Sequence, residues 1–208
     1  MKKQTLILVF TAALSVIALA AEHAPHDLVA VTSVNPRIRL DIRYATTNNF
    51  TGRQVYPSAK AYLRKTTALK LDNVQKKLEN RKLGLKVYDA YRPLSVQKIF
   101  WEIVPDERYV ADPKKGSRHN RGSAVDVTLV ELDSGRELEM PSGYDDFTER
   151  AAYAFTNLPP AAVSNRALLR ALMTECGFIP LETEWWHFDD AGWTICPVMD
   201  IPLENLPY

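Results

Sequence analysis

What this chain has little of narrows its chemistry first. Its 208 residues include two cysteines, too few for a disulfide scaffold or a multi-cysteine zinc site. Charge of one sign is also missing. With 26 Lys and Arg against 25 Asp and Glu, a net charge of +1 gives no electrostatic case for binding nucleic acid. No repeat, low-complexity tract or Gly/Ser linker divides the chain, and no Gly-x-Ser-x-Gly element points to a serine hydrolase. A hydrophobic fraction of 46% and a charged fraction of 25% exclude disordered and fibrous classes. The length suits one domain with a real core. Any chemistry must rest on histidines, carboxylates and a few helpers.

Residues 1–20 read as an address label. Lys2 and Lys3 precede an uncharged apolar run from Leu6 to Leu19, which ends in the small-x-small pattern Ala18-Leu19-Ala20. Fourteen residues are short for a membrane span, which needs roughly twenty. An export signal is the expectation, with an uncleaved anchor as the alternative. Without these 20 residues and their two lysines, 188 residues remain, with 24 basic and 25 acidic side chains. No later stretch approaches span length, so the domain 21–208 is expected outside the cytoplasm, periplasmic or secreted, with no membrane association after cleavage. In that compartment Cys176 and Cys196 could be joined, or could be two unpaired small hydrophobes.

The body reads as one α+β domain, a small antiparallel or mixed sheet with helices packed on it. Asp27 to Tyr44 is strand-like, with Ile38, Leu40 and Ile42 alternating against charged neighbours. Thr67 is placed to cap a helix carrying Leu71, Val74 and Leu78, closed by Gly84. Leu85 to Tyr88 reads as a short buried strand, and Pro93 and Ser95 open a second helix with Val96, Ile99, Phe100 and Ile103 inward. Val125, Val127 and Leu129 alternate on a further strand, which puts Asp126 on its other face. Ser164 begins a third helix ended by Gly177, and a last strand covers Thr183 to Phe188.

Two motifs carry chemistry. In the run Ser117-Arg118-His119-Asn120-Arg121-Gly122-Ser123-Ala124-Val125-Asp126, a loop histidine precedes a strand aspartate by seven positions. A loop folding back over the strand end can bring them together, and Gly122 gives it room. Imidazole plus carboxylate suits Zn²⁺, although a surface histidine and a hydrogen-bonded aspartate would look the same in isolation. In Glu184-Trp185-Trp186-His187, a third ligand and a candidate base lie three residues apart. Positions i and i+3 of a regular strand face opposite sides, so a bend or bulge is expected here. Adjacent tryptophans commonly mean core packing. Together the motifs supply three ligands, His119, Asp126 and His187, which leaves a tetrahedral position open as in catalytic zinc sites. Glu184 is then placed to take a proton from water at that position.

The linked motifs resemble the zinc D-alanyl-D-alanine dipeptidases, relatives of the vancomycin-resistance dipeptidase within the D-Ala-D-Ala carboxypeptidase and lysostaphin-like group. Asp41-Ile42-Arg43-Tyr44-Ala45-Thr46, Asn49-Phe50-Thr51-Gly52, Asp89-Ala90-Tyr91-Arg92-Pro93 and the segment Met140 to Glu149 are similar to further blocks of that family. The resemblance implies one Zn²⁺ per chain on His119, Asp126 and His187, with Glu184 as base and Arg92 stabilising charge on the scissile carbonyl oxygen. An ion pair with Asp89 is the structural alternative for Arg92. Asp145 matches a carboxylate near the substrate's free amino group, and Ser117 a hydroxyl beside the dipeptide. Two positions depart from the pattern. Arg118 stands where the resistance enzyme has a second serine. Val55 to Ser58 differs from its tyrosine-bearing loop, leaving Tyr56 as a substitute contact.

The expected activity is hydrolysis of a small D,D-dipeptide, with Trp185, Trp186 and Tyr91 walling a tight pocket. A D,D-carboxypeptidase or endopeptidase on peptidoglycan peptides is the nearest alternative, and a non-catalytic wall-binding module is the alternative of another class. No nucleic-acid partner is expected. The sequence leaves the oligomeric state open.

Overall fold

The computed structural model describes residues 27–207. The expected export signal at 1–20 lies outside the described residues, as do His23 and His26. In chain order the elements are β1 (Leu28–Ala30), α1 (Val31–Val34), β2 (Arg39–Leu40), β3 (Tyr62–Arg64), α2 (Lys65–Glu79), β4 (Leu83–Asp89), α3 (Leu94–Ile103), β5 (Ala124–Glu131), α4 (Pro160–Glu175), β6 (Phe178–Leu181) and β7 (Glu184–Asp190). Five strands form a mixed sheet in the order β2-β4-β5-β7-β6, and β1 pairs with β3 in a separate ribbon. Among the described residues only β2 and β4 pair in parallel. Helices α2 and α4 touch each other and the sheet, which gives the expected α+β architecture.

Alternation explains the central strand. Val125, Val127 and Leu129 are fully buried in the core with Leu71, Val74 and Leu78 of α2 and Leu169 and Met173 of α4. Asp126 and Thr128 face the other way and are also buried, because loops cover that side. The helix ends follow local chemistry. Pro160 sits at the first turn of α4, where its missing N–H costs nothing. Gly177, at φ 88, takes the left-handed position after that helix.

Several boundaries differ from the sequence expectations. The amino-terminal stretch is no continuous strand. Asn35 turns the chain by accepting from the Arg37 N–H, and Pro36 follows with no N–H to give a ladder. Ile38 and Ile42 are nevertheless buried, as their alternation predicts. Thr67 is no cap. It lies inside α2, and its hydroxyl donates to Asp190 at 2.8 Å. Gly84 belongs to β4, where a Cβ would lie 3.2 Å from the Gln75 amide nitrogen; Lys82, at φ 58, makes the left-handed turn instead. Helix α4 begins four residues before Ser164. Ile103 is 41% exposed rather than inward. Strand β6, unforeseen because Pro180 interrupts its pattern, lies at a sheet edge where a missing N–H is tolerated. Cys176 and Cys196 are unbonded thiols.

Candidate active site

The sheet register assembles the site. Asp126 on β5 lies opposite Asp89 on β4 and opposite His187 on β7, so three polar residues stand in one row across three strands. His119 joins them from the loop before β5. It begins a single 3-10 turn, His119–Arg121, which Gly122 ends at φ 66. A Cβ at Gly122 would come within 2.6 Å of Leu28 Cδ2, so only glycine lets the turn lie against β1.

Three ligand atoms converge. His119 Nε2 lies 3.2 Å from His187 Nδ1 and 3.4 Å from Asp126 Oδ1, while His187 Nδ1 and Asp126 Oδ1 are 2.9 Å apart. Bonds of about 2.0–2.2 Å at tetrahedral angles space donor atoms about 3.3 Å apart, so the triangle matches a divalent ion of zinc's size. The far nitrogens agree. His119 Nδ1 donates to the Ala90 carbonyl at 2.7 Å, and His187 Nε2 donates to Asp189 Oδ1 at 2.9 Å. Each ring therefore turns a lone pair toward the common point. Tyr144 donates to Asp126 Oδ2 at 2.9 Å and leaves Oδ1 for the same point.

Burial alone would raise the Asp126 carboxyl, but the His119 and His187 rings hold it well below the usual carboxylate range. Burial opposes a charged His187, yet its hydrogen bonds to Asp126 and Asp189 push its pKa well above the ordinary histidine value, so a metal ion that takes the Nδ1 lone pair must displace a proton there. The residues present fit a bound metal ion.

Glu184 reaches the same cavity because β7 is bulged. Pro180 pairs with Phe188 whereas Leu181 pairs with Glu184, so extra residues of β7 lie between the two contacts. This is the irregularity that the Glu-x-x-His spacing requires. Glu184 Oε2 lies 4.0 Å from His187 Nδ1. Burial raises the Glu184 carboxyl to about 7, with the His187 charge opposing.

Arg92 lines the cavity while fixed from behind. Its Nε and Nη2 donate to Asp89 Oδ2 at 3.1 and 2.6 Å, its Nη1 donates to Gln97 at 2.8 Å, and Phe100 stacks 4.7 Å away. The ion pair with Asp89 and exposure to the cavity therefore coexist. Asp145, held in the left-handed region at φ 57, accepts from the Tyr44 hydroxyl at 3.0 Å. Burial, reinforced by the charge of Asp126, raises its carboxyl to about 8. Ser117 also lines the cavity, and its Oγ accepts the Asn120 N–H at 3.2 Å, leaving its own proton to donate. The cavity holds about 200 Å³, below the roughly 300–1,000 Å³ typical of drug-sized ligands.

Residues 24–200 match the family model of peptidase M15, D-ala-D-ala dipeptidase. The chain belongs to this family. It is 38% identical over 163 residues to the D-alanyl-D-alanine dipeptidase of Escherichia coli, covering 78% of this chain and 84% of that protein. It is 33% identical to the D-alanyl-D-alanine dipeptidase of Enterococcus faecalis, covering 73% and 85%. That of Streptomyces coelicolor is 31% identical, covering 78% and 90%. This chain is accordingly a peptidase of the M15 family.

Within this M15 fold, all seven residues singled out from sequence line one cavity: Glu184, Arg92, Asp145, Ser117, His119, Asp126 and His187. The expected walls are only partly right. Trp186 lines the cavity, but Trp185 turns away to donate to Ser142, and Tyr91 binds the carboxy-terminal segment at Ile201. Tyr56 is buried behind the site, donating to Asp89 Oδ1 at 2.8 Å. Sequence reasoning missed Tyr44, Tyr144, Gln97 and Asp189. Asp189 alone carried a signal, since residues two apart on a strand share a face and His187 was already placed there.

Proposed function

We propose that the chain hydrolyses the D-alanyl-D-alanine dipeptide to two D-alanines, with one zinc ion on His119, Asp126 and His187. The observation that carries this reading is the Glu184 carboxylate 4.0 Å from a convergent two-histidine, one-aspartate triad. The names of the three relatives support the substrate. A zinc ion there would supply Lewis acidity, acidifying a water and polarising the scissile carbonyl.

The chain's own side chains do the rest. Glu184, with its carboxyl raised to about 7, accepts a proton from the attacking water and returns it to the leaving nitrogen. Arg92 is always charged and has five N–H donors, of which Asp89 and Gln97 take three. The remaining two are free to meet negative charge developing on the carbonyl oxygen. Asp145 answers the substrate's ammonium, whose charge favours the ionised form of this raised carboxyl. The Ser117 hydroxyl lies beside the bound dipeptide. A peptide acylated at its amino end would place no charge against Asp145, which favours the dipeptide over longer wall peptides.

Residues 1–20 are part of the proposal as an export signal, which puts the domain 21–208 in the periplasm or outside the cell. Among the described residues no helix is long and apolar enough to cross a membrane. The deciding experiment compares D-alanyl-D-alanine, its L,L isomer and an N-acylated D,D-dipeptide, with and without chelator. Chelator-sensitive cleavage of the free D,D-dipeptide is expected. Preference for the acylated peptide would move the reading to a D,D-carboxypeptidase, and indifference to chelator would remove the metal.

A further inference from the structure

Three arginines line the cavity, and two are already committed. Arg92 is held by Asp89 and Gln97. Arg108 folds back onto Asp106 with its Nε 3.0 Å from both carboxylate oxygens. Arg118 differs. Among the described residues its guanidinium makes no hydrogen bond. Its Nε stands 3.5 Å from Asp189 Oδ2, and its guanidinium stacks 4.6 Å from the Trp193 ring. The Trp193 ring holds one face of the guanidinium, and Asp189 holds its Nε edge. Both Nη groups are left without partners. A half-exposed guanidinium that faces a small cavity with both Nη groups free of protein acceptors can pair with a planar anion there.

The position of this fork relative to the triad is informative. From the triad, Asp145 is reached through Asp126, Tyr144 and Tyr44. Arg118 is reached through the opposite nitrogen of His187 and then Asp189. The acidic and basic anchors are therefore tied to the metal-binding triad through different ligands, Asp126 and His187. A dipeptide has the matching layout, with an ammonium on one side of the scissile bond and a carboxylate on the other. We propose that Arg118 binds the free carboxy-terminal carboxylate of the substrate and, with Asp145, restricts this site to peptides two residues long. The proposal rests on the dipeptidase reading for the identity of the substrate. It adds a specificity residue that plays no part in proton transfer. Asp189 keeps its Oδ1 on His187 and its Oδ2 toward Arg118, so one carboxylate positions both a metal-binding ring and the anchor.

The test uses the full chain with two ligands, D-alanyl-D-alanine and D-alanyl-D-alaninamide, which differ only in the carboxylate. Binding is measured by titration calorimetry in a Glu184→Gln background that keeps the ligands intact, and kcat and KM are measured with Glu184 present. With Arg118 in place, the acid is expected to be favoured by about 10- to 100-fold, the range of a charge-assisted pair. Arg118→Gln should bring the two ligands within about 3-fold by weakening the acid alone, raising KM with kcat nearly unchanged. Arg118→Lys, which keeps the charge without the fork, should fall between. An Arg118→Gln variant that kept the preference, or weakened both ligands equally, would overturn the proposal while leaving the dipeptidase reading intact. Binding with the expected preference but no hydrolysis would overturn the dipeptidase reading and sustain Arg118 as the anchor. Absence of binding to either ligand with Arg118 in place would overturn both.

Discussion

The Nε2 of His187 lies 2.9 Å from Asp189 Oδ1. The two residues are neighbours on one face of β7, and their contact decides which ring nitrogen faces Asp126. A proton held at Nε2 leaves the Nδ1 lone pair for a metal ion, and the carboxylate raises the basicity of the ring. Asp189→Ala should therefore lower zinc affinity by about 10- to 100-fold without unfolding the chain. Competition with a chelator of known affinity measures it. Wild-type affinity in this variant would mean that the tautomer is fixed in some other way.

Glu184 is separable from metal binding. The triad is complete without it, because its nearest carboxylate oxygen is 4.0 Å from His187 Nδ1. Glu184→Gln should keep a full metal complement while kcat falls about 10²- to 10⁴-fold, the usual worth of a positioned acid or base. Metal content by elemental analysis and steady-state kinetics give the two readings. Normal turnover would assign the proton transfer to another group.

Arg92 should act on the rate more than on binding. Its guanidinium is locked by Asp89 and Gln97 before any substrate arrives. Arg92→Lys keeps a charge but loses the fork, and it should lower kcat by about 10²-fold or more with a smaller change in KM. A rise in KM with kcat intact would make Arg92 a ground-state contact instead.

These groups were legible in the sequence to very different degrees. His119, Asp126, Glu184 and His187 stood out because two of the four histidines sat beside carboxylates in two short motifs, and strand periodicity gave Asp126 its face. The bulge in β7 was also legible, because a regular strand could not aim Glu184 and His187 into one cavity. Tyr44 and Tyr144 were not. They meet 100 residues apart in sequence, and only the packing of two loops over the sheet brings their hydroxyls to Asp145 and Asp126. The amino-terminal stretch shows the same limit in the fold. The alternation of Ile38 and Ile42 reports burial, but Asn35 and Pro36 break the hydrogen-bond ladder that alternation alone would suggest.

Asp145 links the site to pH. Its carboxyl is raised to about 8 by burial and by the Asp126 charge, against about 3.9 in an unfolded chain. Between those values the folded state holds a proton that the unfolded state has lost. Stability from this group therefore declines as pH rises from about 4 to about 8. Asp145→Asn removes the titration, and asparagine tolerates the left-handed φ of 57. In metal-free protein the variant should match wild type near pH 4 and exceed it at pH 8 by on the order of 1–3 kcal/mol. Urea unfolding at the two pH values measures it. A constant difference would show that Asp145 is ionised throughout.

Gly122 carries the most local demand on the sequence. Its φ of 66 and the 2.6 Å approach of a Cβ to Leu28 Cδ2 are separate penalties, and the turn it closes begins at His119. Gly52 has nearly the same φ, 67, with nothing within 4 Å of its would-be Cβ. The pair therefore isolates the steric term. Gly52→Ala should cost only the left-handed penalty of about 1–2 kcal/mol and leave zinc affinity unchanged. Gly122→Ala should cost about 1–3 kcal/mol more, because β1 and the turn must part. That movement displaces His119, so zinc affinity should fall as well. Thermal unfolding and chelator competition on both variants read the two effects. Equal losses of stability, with zinc affinity intact in both, would show that the turn does not depend on its seat against Leu28.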